Sequence, residues 1–269
     1  MKYLDLLEKS DSLVCFGMDP VLEKIPIKEQ SPEKKIVKFY TDILDAKPKI
    51  GAAKPNYAYF AQYGFPGLRA LKKLIAVCKG QKIPTILDAK RADIGTTSEA
   101  YAREVFEFWK ADAVTVQPYL GNDSVEPYFK YCEKGKGIYL LVRTSNVGAK
   151  DFQDLKTDGE PFYRKIAAKV VEWHKPGMGA VVGATKPEEL KEIHSFFEAT
   201  GKKIPLLIPG VGTQGGSGKE VSEIIKKNRL HRINSSSAIS YAYQNEGTDD
   251  YVSSAAKAIE KLNTEIDLK

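Results

Sequence analysis

Two carboxylates and a lysine lie within six residues of this sequence, at a spacing suited to proton transfer. Asp88, Lys90 and Asp93 follow the apolar run Ile83–Leu87. Side chains two apart on a strand share a face, so Asp88 and Lys90 are expected to point the same way, with Asp93 in the loop beyond. A lysine flanked by carboxylates stays protonated and can deliver a proton to a developing carbanion. A neighbouring aspartate disfavours a substrate carboxylate, so decarboxylation is the reaction that gains most; a local salt bridge is the alternative.

Polar residues also end other apolar runs. Lys54 directly follows Ile50–Ala53, and because an unpaired buried ammonium is too costly, it must face a site or pair with a carboxylate. Asp19 follows Leu13–Met18, where it can accept a hydrogen bond from a sugar hydroxyl or cap the turn before a proline. Ser145 can bind the edge of a planar heterocycle or cap a loop. Both interpretations of Asp19 and of Ser145 stay open at this point.

A glycine-rich stretch predicts a phosphate site. Four glycines occur from Gly210 to Gly216, just before the helix-capping sequence Ser217-Gly218-Lys219-Glu220. The backbone N–H groups of such a loop suit an anion at a helix N-terminus, although glycine-rich loops also occur as plain turns. Ser236 and Ser237 follow the last apolar run and are expected to complete the phosphate cradle.

The histidines predict no metal site. The sequence contains three, His174, His194 and His231, and none stands with a second ligand at metal spacing. A serine-hydrolase triad is equally unsupported, because no GxSxG motif is present.

The elements that must position these residues are short apolar runs at wide spacing. They are nearly continuous rather than alternating, which is typical of parallel strands buried on both faces. Eight runs fit this description: Leu13–Met18, Ile50–Ala53, Ile83–Leu87, Ala113–Val116, Ile138–Val142, Gly179–Gly183, Ile204–Ile208 and Leu230–Asn234.

The stretches between the runs have helical spacing and helix-start signals such as Ser31-Pro32 and Thr185-Lys186-Pro187-Glu188. Eight strands alternating with helices predict a (β/α)₈ barrel, with a doubly wound open sheet as the alternative. We expect residues 1–269 to form one domain, with the chemistry at the carboxyl ends of the strands. The polar segment Asn146–Glu160 is expected to be a mobile loop near the site.

Composition excludes several classes of protein. The 269 residues are 42% hydrophobic and 28% charged, which does not fit a disordered chain, a collagen or a coiled coil. No apolar stretch is long enough for a transmembrane helix, and Met1–Ser10 does not have the pattern of a secretory signal. The net charge of +6 is scattered, so we expect no nucleic-acid partner and no membrane. Three distant cysteines predict a reduced, cytoplasmic compartment.

The strand ends, taken in order, resemble the orotidine 5′-phosphate decarboxylases, in particular the longer-chain, type 2 branch. The resemblance spans residues 16 to about 243. The matching segments are Phe16–Pro20, Lys54–Phe60, Asp88–Thr97, Thr144–Asn146 and Pro209–Gly216. The DxKxxDI element alone is shared with sugar-phosphate decarboxylases of the superfamily; Lys54-Pro55-Asn56 and Gln214-Gly215-Gly216 make the match more specific.

The resemblance implies a (β/α)₈ homodimer that decarboxylates orotidine 5′-phosphate to UMP without cofactor or metal, as a step of pyrimidine biosynthesis. Lys54, Asp88, Lys90 and Asp93 correspond to the family's Lys-Asp-Lys-Asp network. Lys90 would protonate C6 of the pyrimidine as carbon dioxide leaves, and Asp88 would lie beside the substrate carboxylate.

The resemblance also implies the binding residues. Asp19 would hold the ribose together with Lys54, Ser145 would contact the pyrimidine, and Asp93 and Thr97 would reach into the partner subunit's site. The phosphate would be bound by Gln214, Gly215, Ser236 and Ser237.

One position departs from the family pattern. The family usually has an arginine after the eighth strand, in a sequence such as Ser-Arg-Ala-Ile, and Ser237 stands at that place here. Because a guanidinium binds phosphate bidentately and a serine offers one neutral hydrogen bond, phosphate binding is expected to be weaker by about 1.5–3 kcal/mol. Arg232 is a candidate to compensate. A related phosphosugar decarboxylase or aldolase, and a non-catalytic phosphate-binding barrel, are the alternative functions.

Overall fold

The fold was analysed in a computed structural model that describes residues 2–212 and 215–266. Across these residues, eight parallel strands form one sheet. They are β1 (Val14–Met18), β2 (Ala52–Pro55), β3 (Ile86–Arg91), β4 (Ala113–Val116), β5 (Gly137–Arg143), β6 (Met178–Val182), β7 (Leu206–Ile208) and β8 (Arg232–Ser235). Each predicted run overlaps one of these strands, with ends shifted by up to a few residues.

The sheet closes into a barrel. The strand order is β2-β1-β8-β7-β6-β5-β4-β3. The two edges then meet, because Ala53 pairs with Thr85 and Asn56 pairs with Asp88 in parallel bridges. The predicted (β/α)₈ barrel is therefore confirmed, and the open-sheet alternative is wrong.

Helices connect the strands on the outside. They are α1 (Tyr3–Glu8), α2 (Pro32–Asp45), α3 (Tyr57–Ala61), α4 (Gly64–Gly80), α5 (Gly95–Arg103), α6 (Asn122–Val125), α7 (Phe129–Glu133), α8 (Phe162–Glu172), α9 (Pro187–Ala199), α10 (Gly218–Ile224), α11 (Ser237–Ser240), α12 (Ala242–Glu246) and α13 (Tyr251–Ile266). Short 3₁₀ turns cover Leu22–Lys24, Glu126–Tyr128 and Val147–Asp151, and a π-helical turn covers Glu104–Phe108.

Two of the three helix starts predicted from the sequence have the expected side-chain cap. The Ser31 hydroxyl accepts a hydrogen bond from the N–H of Lys34, and that of Ser217 accepts one from the N–H of Glu220. The capping box predicted from Thr185 is wrong. Lys186 occupies the N-cap of α9 without a side-chain cap, because Pro187 takes the first helical position.

The barrel has an inner and an outer core. Inside, the inward-facing side chains of the strands, such as Cys15, Ile86 and Tyr139, pack together with Tyr3 and Leu7 of α1. Helix α1 therefore covers the amino-terminal end of the barrel. The larger outer core lies between the strands and the surrounding helices.

The loop after β5 is folded rather than extended. It contains the 3₁₀ turn Val147–Asp151 and a small antiparallel hairpin that pairs Lys156–Thr157 with Glu160–Pro161. The Gln153 side chain accepts a hydrogen bond from the N–H of Thr144 (2.9 Å) and donates one to its hydroxyl (2.7 Å). These bonds tie the loop to the end of β5.

Candidate active site

A cavity of about 670 Å³ opens at the carboxyl ends of the strands, where barrels of this kind carry their chemistry. Its lining comes from loops that follow most of the strands. Among the residues singled out from the sequence, the lining includes Asp19, Lys54, Asp88, Lys90, Ser145, Ser236 and Ser237.

Asp88 lies between two ammonium groups at the base of this cavity. Its Oδ2 accepts a hydrogen bond from Lys54 Nζ at 2.9 Å, and its Oδ1 accepts one from Lys90 Nζ at 2.7 Å. Lys54 and Asp88 are buried, whereas the side chain of Lys90 is 51% exposed and reaches into the open part of the cavity. Lys90 is therefore the member of the trio that a ligand can contact freely.

Charge is fixed within this trio. Burial alone would raise the pKa of Asp88, but the ammonium groups of Lys54 and Lys90 outweigh burial and hold that pKa well below the usual aspartate range. Burial would likewise lower the pKa of Lys54, but Asp88 and Asp19 outweigh it, and the net pKa of Lys54 is raised. Both groups stay ionised at neutral pH.

The backbone at Lys90 is unusual for a residue in a strand. Its φ of +44° lies in the left-handed region, which costs a non-glycine residue about 1–2 kcal/mol. The Lys90 N–H donates to the Thr115 hydroxyl (2.9 Å), and that hydroxyl donates to Asp88 Oδ1 (2.9 Å). Thr115 thus links the backbone of one charged residue to the carboxylate of the other.

Asp19 lies at the end of β1, close to the last strand. Burial raises the pKa of Asp19, although Lys54 and the Ser236 hydroxyl favour its charged form. Ser236 packs directly over Gly17, where a Cβ atom would come within 1.8 Å of the serine Oγ. Only glycine fits at that position. The Tyr241 hydroxyl donates to the carbonyl of Asp19 and accepts from the N–H of Val21, which fixes this loop.

The segments after β7 and β8 contribute Gly210, Val211, Ser236 and Ser237 to the cavity lining. The loop after β7 turns sharply, because Gly216 N–H donates to Gly210 O and Gly215 N–H donates to Gly212 O. Gly215 has a φ of +91° and does not line the cavity. Gln214 lies outside the described residues.

Asp93 and Thr97 stand apart from the trio within this chain. The Asp93 carboxylate accepts a hydrogen bond from the N–H of Ile94, its chain neighbour, and Thr97 is exposed on α5. Neither lines the cavity.

Arg232 does not compensate for Ser237. It lies at the opposite, amino-terminal end of the barrel, fully buried, and its guanidinium donates to the carbonyls of Leu7, Arg229 and His231. The first residue of a strand points away from the carboxyl-end cavity, so the suggested role is wrong. The arginine instead fastens α1 to β8.

Two of the histidines lie close to each other and to a third side chain that could ligate a metal, which the sequence does not indicate. His194 and Glu198 on α9 and His231 before β8 bring ligand atoms within 4.8 Å of one another. The expectation that no histidine has such a neighbour is therefore wrong. However, His231 Nδ1 accepts a hydrogen bond from the N–H of Leu206 (2.9 Å), so the proton of the neutral ring is on Nε2. That nitrogen has no lone pair for a metal.

Several residues of the site were not identified from the sequence. Thr115, which bonds to Asp88, lies inside a strand. Of the lining residues, Asn234 lies near the end of a strand, Lys24 in a 3₁₀ turn and Tyr241 between two short helices. The only usable signal was the position of Asn234 at a strand end. Lys24 gave none, since it lies five residues beyond Asp19 in an irregular segment.

Comparison with known proteins places the chain in a family. The sequence profile described as "Orotidine 5′-phosphate decarboxylase / HUMPS family" matches residues 12–248. The chain belongs to this family. It is 41% identical to the orotidine 5′-phosphate decarboxylase of Dechloromonas aromatica, covering 96% of each chain. It is 43% identical to that of a Janthinobacterium species, covering 87% of this chain and 86% of the relative.

The solved structure of Leishmania donovani OMP decarboxylase superposes with a TM-score of 0.79 at 28% identity, covering 99% of both chains. Membership of the orotidine 5′-phosphate decarboxylase / HUMPS family confirms the resemblance indicated by the motifs and the prediction of a decarboxylase. The family's fold is also the barrel found here.

Proposed function

We propose that this protein converts orotidine 5′-phosphate to UMP and carbon dioxide, using no cofactor or metal. The observation that supports this most directly is the Lys54–Asp88–Lys90 trio at the carboxyl end of the barrel. The C6–carboxylate bond breaks, carbon dioxide leaves, and the electron pair left on C6 takes a proton from Lys90 Nζ. Asp88 stays ionised, so it repels the substrate carboxylate and not the neutral product.

The substrate spans the cavity between its two polar ends. The orotate carboxylate lies beside Asp88, and Lys54 and Asp19 hold the ribose. Ser145 contacts the pyrimidine. The phosphate lies at the far side, bound by Gln214, Gly215, Ser236 and Ser237. The presence of Asp19, Lys54, Ser236 and Ser237 around one cavity supports this orientation.

The functional unit is a homodimer in which Asp93 and Thr97 enter the partner subunit's site. Large apolar side chains are exposed at the same end of the barrel, notably Ile94, Tyr119 and Val147, at 58%, 67% and 85% exposure. Large apolar side chains left exposed at one end of a protein are typical of an interface. Burial of these side chains by a second copy would bring Asp93 and Thr97 to the shared site.

We further propose that the enzyme acts in de novo pyrimidine biosynthesis in the cytoplasm. Cys15, Cys78 and Cys132 are free and buried, and burial raises the pKa of each thiol to about 12. Such unpaired thiols suit a reducing compartment. Within the described residues, none of the helices combines the length and the apolar character that crossing a membrane requires.

The test is a direct assay. The purified protein is incubated with orotidine 5′-phosphate and EDTA, and conversion to UMP is followed by ultraviolet absorbance. Turnover in EDTA supports the proposal. Lys90→Ala should abolish turnover and leave the circular dichroism spectrum unchanged. Unchanged substrate after long incubation would favour a phosphate-binding barrel, and turnover of a different sugar phosphate that depends on a metal would favour a related lyase.

A further inference from the structure

We infer that Arg91 is a positioning residue, which holds Lys90 in its strained backbone conformation and so aims the ammonium at the reacting carbon. Its side chain points to the opposite side of β3 from Asp88 and Lys90, away from the cavity. It therefore touches neither substrate nor reacting atoms. The inference rests on the proposed role of Lys90 as proton donor.

The Arg91 guanidinium is held from three directions. It lies between two aromatic rings, with Cζ at 4.4 Å from the Tyr57 ring centroid and 4.5 Å from that of Tyr101. Its NH2 nitrogen donates to both carboxylate oxygens of Glu104, at 2.6 and 2.7 Å. Glu104 also accepts a hydrogen bond from Trp109 Nε1 at 2.9 Å, which orients the carboxylate.

These contacts join the elements around the catalytic trio. Tyr57 opens α3, three residues after Lys54, and Tyr101 belongs to α5, which follows β3. Glu104 is the first residue of the π-helical turn Glu104–Phe108. Such turns interrupt a helix at a cost and are frequent at functional sites. Here the turn supplies the Glu104 carboxylate, and Trp109, which orients that carboxylate, directly follows the turn. We refer to Tyr57, Tyr101 and Glu104 as the Arg91 clamp.

The Arg91 clamp lies next to the strained backbone of Lys90. The pairing of β3 with β4 shifts register between Leu87 and Arg91, so Lys90 lies in an irregularity of the ladder. Its left-handed φ is fixed on one side by its N–H bond to Thr115, and on the other by Arg91, whose carbonyl accepts from the N–H of Gln117 (2.9 Å). The Arg91 side chain is only 14% exposed and is held by Tyr57, Tyr101 and Glu104, which prevents the Arg91 backbone from relaxing. Released, Lys90 would turn toward an extended conformation and leave Asp88 Oδ1.

The first experiment is kinetic. Arg91→Met keeps a long, unbranched side chain and removes the guanidinium. Because displacement of a catalytic group by about 1 Å costs up to about 100-fold in rate, we expect kcat to fall by roughly 10–100-fold while KM changes by less than about threefold. Arg91→Lys, which keeps the charge and loses the planar stacking, should give an intermediate kcat. Arg164→Met is the matched control, because it removes an arginine–Glu192 ion pair (2.5 Å) far from the cavity.

The second experiment does not depend on activity. A crystal structure of Arg91→Met should show Lys90 outside the left-handed region and Lys90 Nζ beyond hydrogen-bonding distance of Asp88. If wild-type protein fails to turn over orotidine 5′-phosphate, the proposed function fails and this structural result still decides the role of Arg91. An unchanged kcat, a loss confined to KM, or an unmoved Lys90 in the variant would overturn the inference.

Discussion

In the proposed reaction, Asp88 acts as a fixed negative charge and not just as a carboxyl group. Two ammonium groups hold its pKa well below the aspartate range, so a substrate carboxylate placed beside it cannot be relieved by protonation of the protein. The repulsion disappears once carbon dioxide departs, so it raises the energy of the ground state relative to the transition state. Lys54 is buried and paired with Asp88, and it keeps that charge in place. Lys90 is exposed to the cavity, and in the proposed reaction it gives up the proton.

Phosphate binding is the property that Ser237 should limit. A guanidinium at this position adds a charge-assisted contact of about 1.5–3 kcal/mol, equivalent to roughly 10–100-fold in affinity. We therefore expect Ser237→Arg to lower KM for orotidine 5′-phosphate by a factor in that range. Turnover of orotidine, which lacks the phosphate, should not change. Equal effects on the two substrates would show that position 237 does not meet the phosphate.

Lys24 is the cation that we expect to serve the phosphate in place of the family's arginine. It lines the cavity with Nζ 5.4 Å from the Tyr241 ring centroid, and across the described ranges it makes no ion pair. Its carbonyl accepts a hydrogen bond from the Tyr243 hydroxyl, which fixes the turn that carries it.

Lys24→Gln should raise KM by roughly 10–100-fold, as expected for the loss of a charge-assisted bond, and should have less effect in a Ser237→Arg background. Lys28→Gln is the control, because that lysine is exposed and does not line the cavity. Additive effects of the two changes would mean that Lys24 and position 237 serve different parts of the ligand.

At the level of elements, the loop after β5 is the part whose order matters for binding. Gln153 makes two hydrogen bonds to Thr144, whose neighbour Ser145 lines the cavity. Gln153→Ala removes both, so Thr144 and Ser145 should become less ordered and KM should rise by about 3–10-fold, the equivalent of one net hydrogen bond. The melting temperature should fall only slightly. Gln62→Ala, which removes an exposed bond to a carbonyl on α3, is the control; a similar KM in both variants would show that the loop does not order the site.

The elements were more predictable than their ends. Continuous apolar runs locate all of the barrel strands, because both faces of a parallel strand are buried and buried positions require apolar residues. The sequence gives no comparable signal for β3 beyond Leu87, where the strand continues through charged residues to Arg91 in an irregular conformation. The trio was predictable because its members follow apolar runs. Thr115 and Arg91 were not, because their roles depend on contacts between segments distant in the chain.

The histidine pair couples α9 to β8 and should make stability depend on pH. Burial, with smaller effects of His194 and Arg232, lowers the pKa of His231 to about 3. The pKa of a histidine in the unfolded chain is about 6.5. At pH values between this pKa and that of folded His231, the unfolded chain binds a proton that the folded chain excludes. The contribution of His231 to stability is therefore complete above about pH 6.5 and is lost as pH falls.

From pH 7 to pH 5 the free energy of unfolding should fall by about 2 kcal/mol through His231 alone. His231→Asn keeps an acceptor for the N–H of Leu206 but cannot titrate, so urea unfolding of this variant should show a smaller decline. His174→Asn should retain most of the wild-type decline, because His174 is only half-buried and burial lowers its pKa less than it lowers that of His231. Parallel declines in wild type and His231→Asn would contradict the assignment.

At the scale of the whole molecule, one chain contains only part of the proposed catalyst. Lys54, Asp88 and Lys90 meet within the subunit, while Asp93 and Thr97 stand outside its cavity. Ile94, the chain neighbour of Asp93, is an exposed apolar side chain that a second copy would cover in the proposed dimer. A shared site of this kind makes activity depend on assembly, so dilution below the dimer dissociation constant should lower activity per chain.

Subunit complementation tests the sharing directly. Lys90→Ala and Asp93→Ala should each be inactive as homodimers. In a hybrid, the Asp93→Ala chain supplies Lys90 and the Lys90→Ala chain supplies Asp93, so one of the two sites is complete. Co-refolding equal amounts should therefore restore about one quarter of the wild-type activity, because half of the dimers are hybrids and half of their sites work. Lys54→Ala mixed with Lys90→Ala is the matched control: both losses fall in the same chain's trio, so no complete site can form. If activity returns in the first mixture and not in the control, Asp93 must reach the partner subunit's site. If neither mixture is active although size-exclusion chromatography shows dimers, Asp93 belongs to the site of its own subunit.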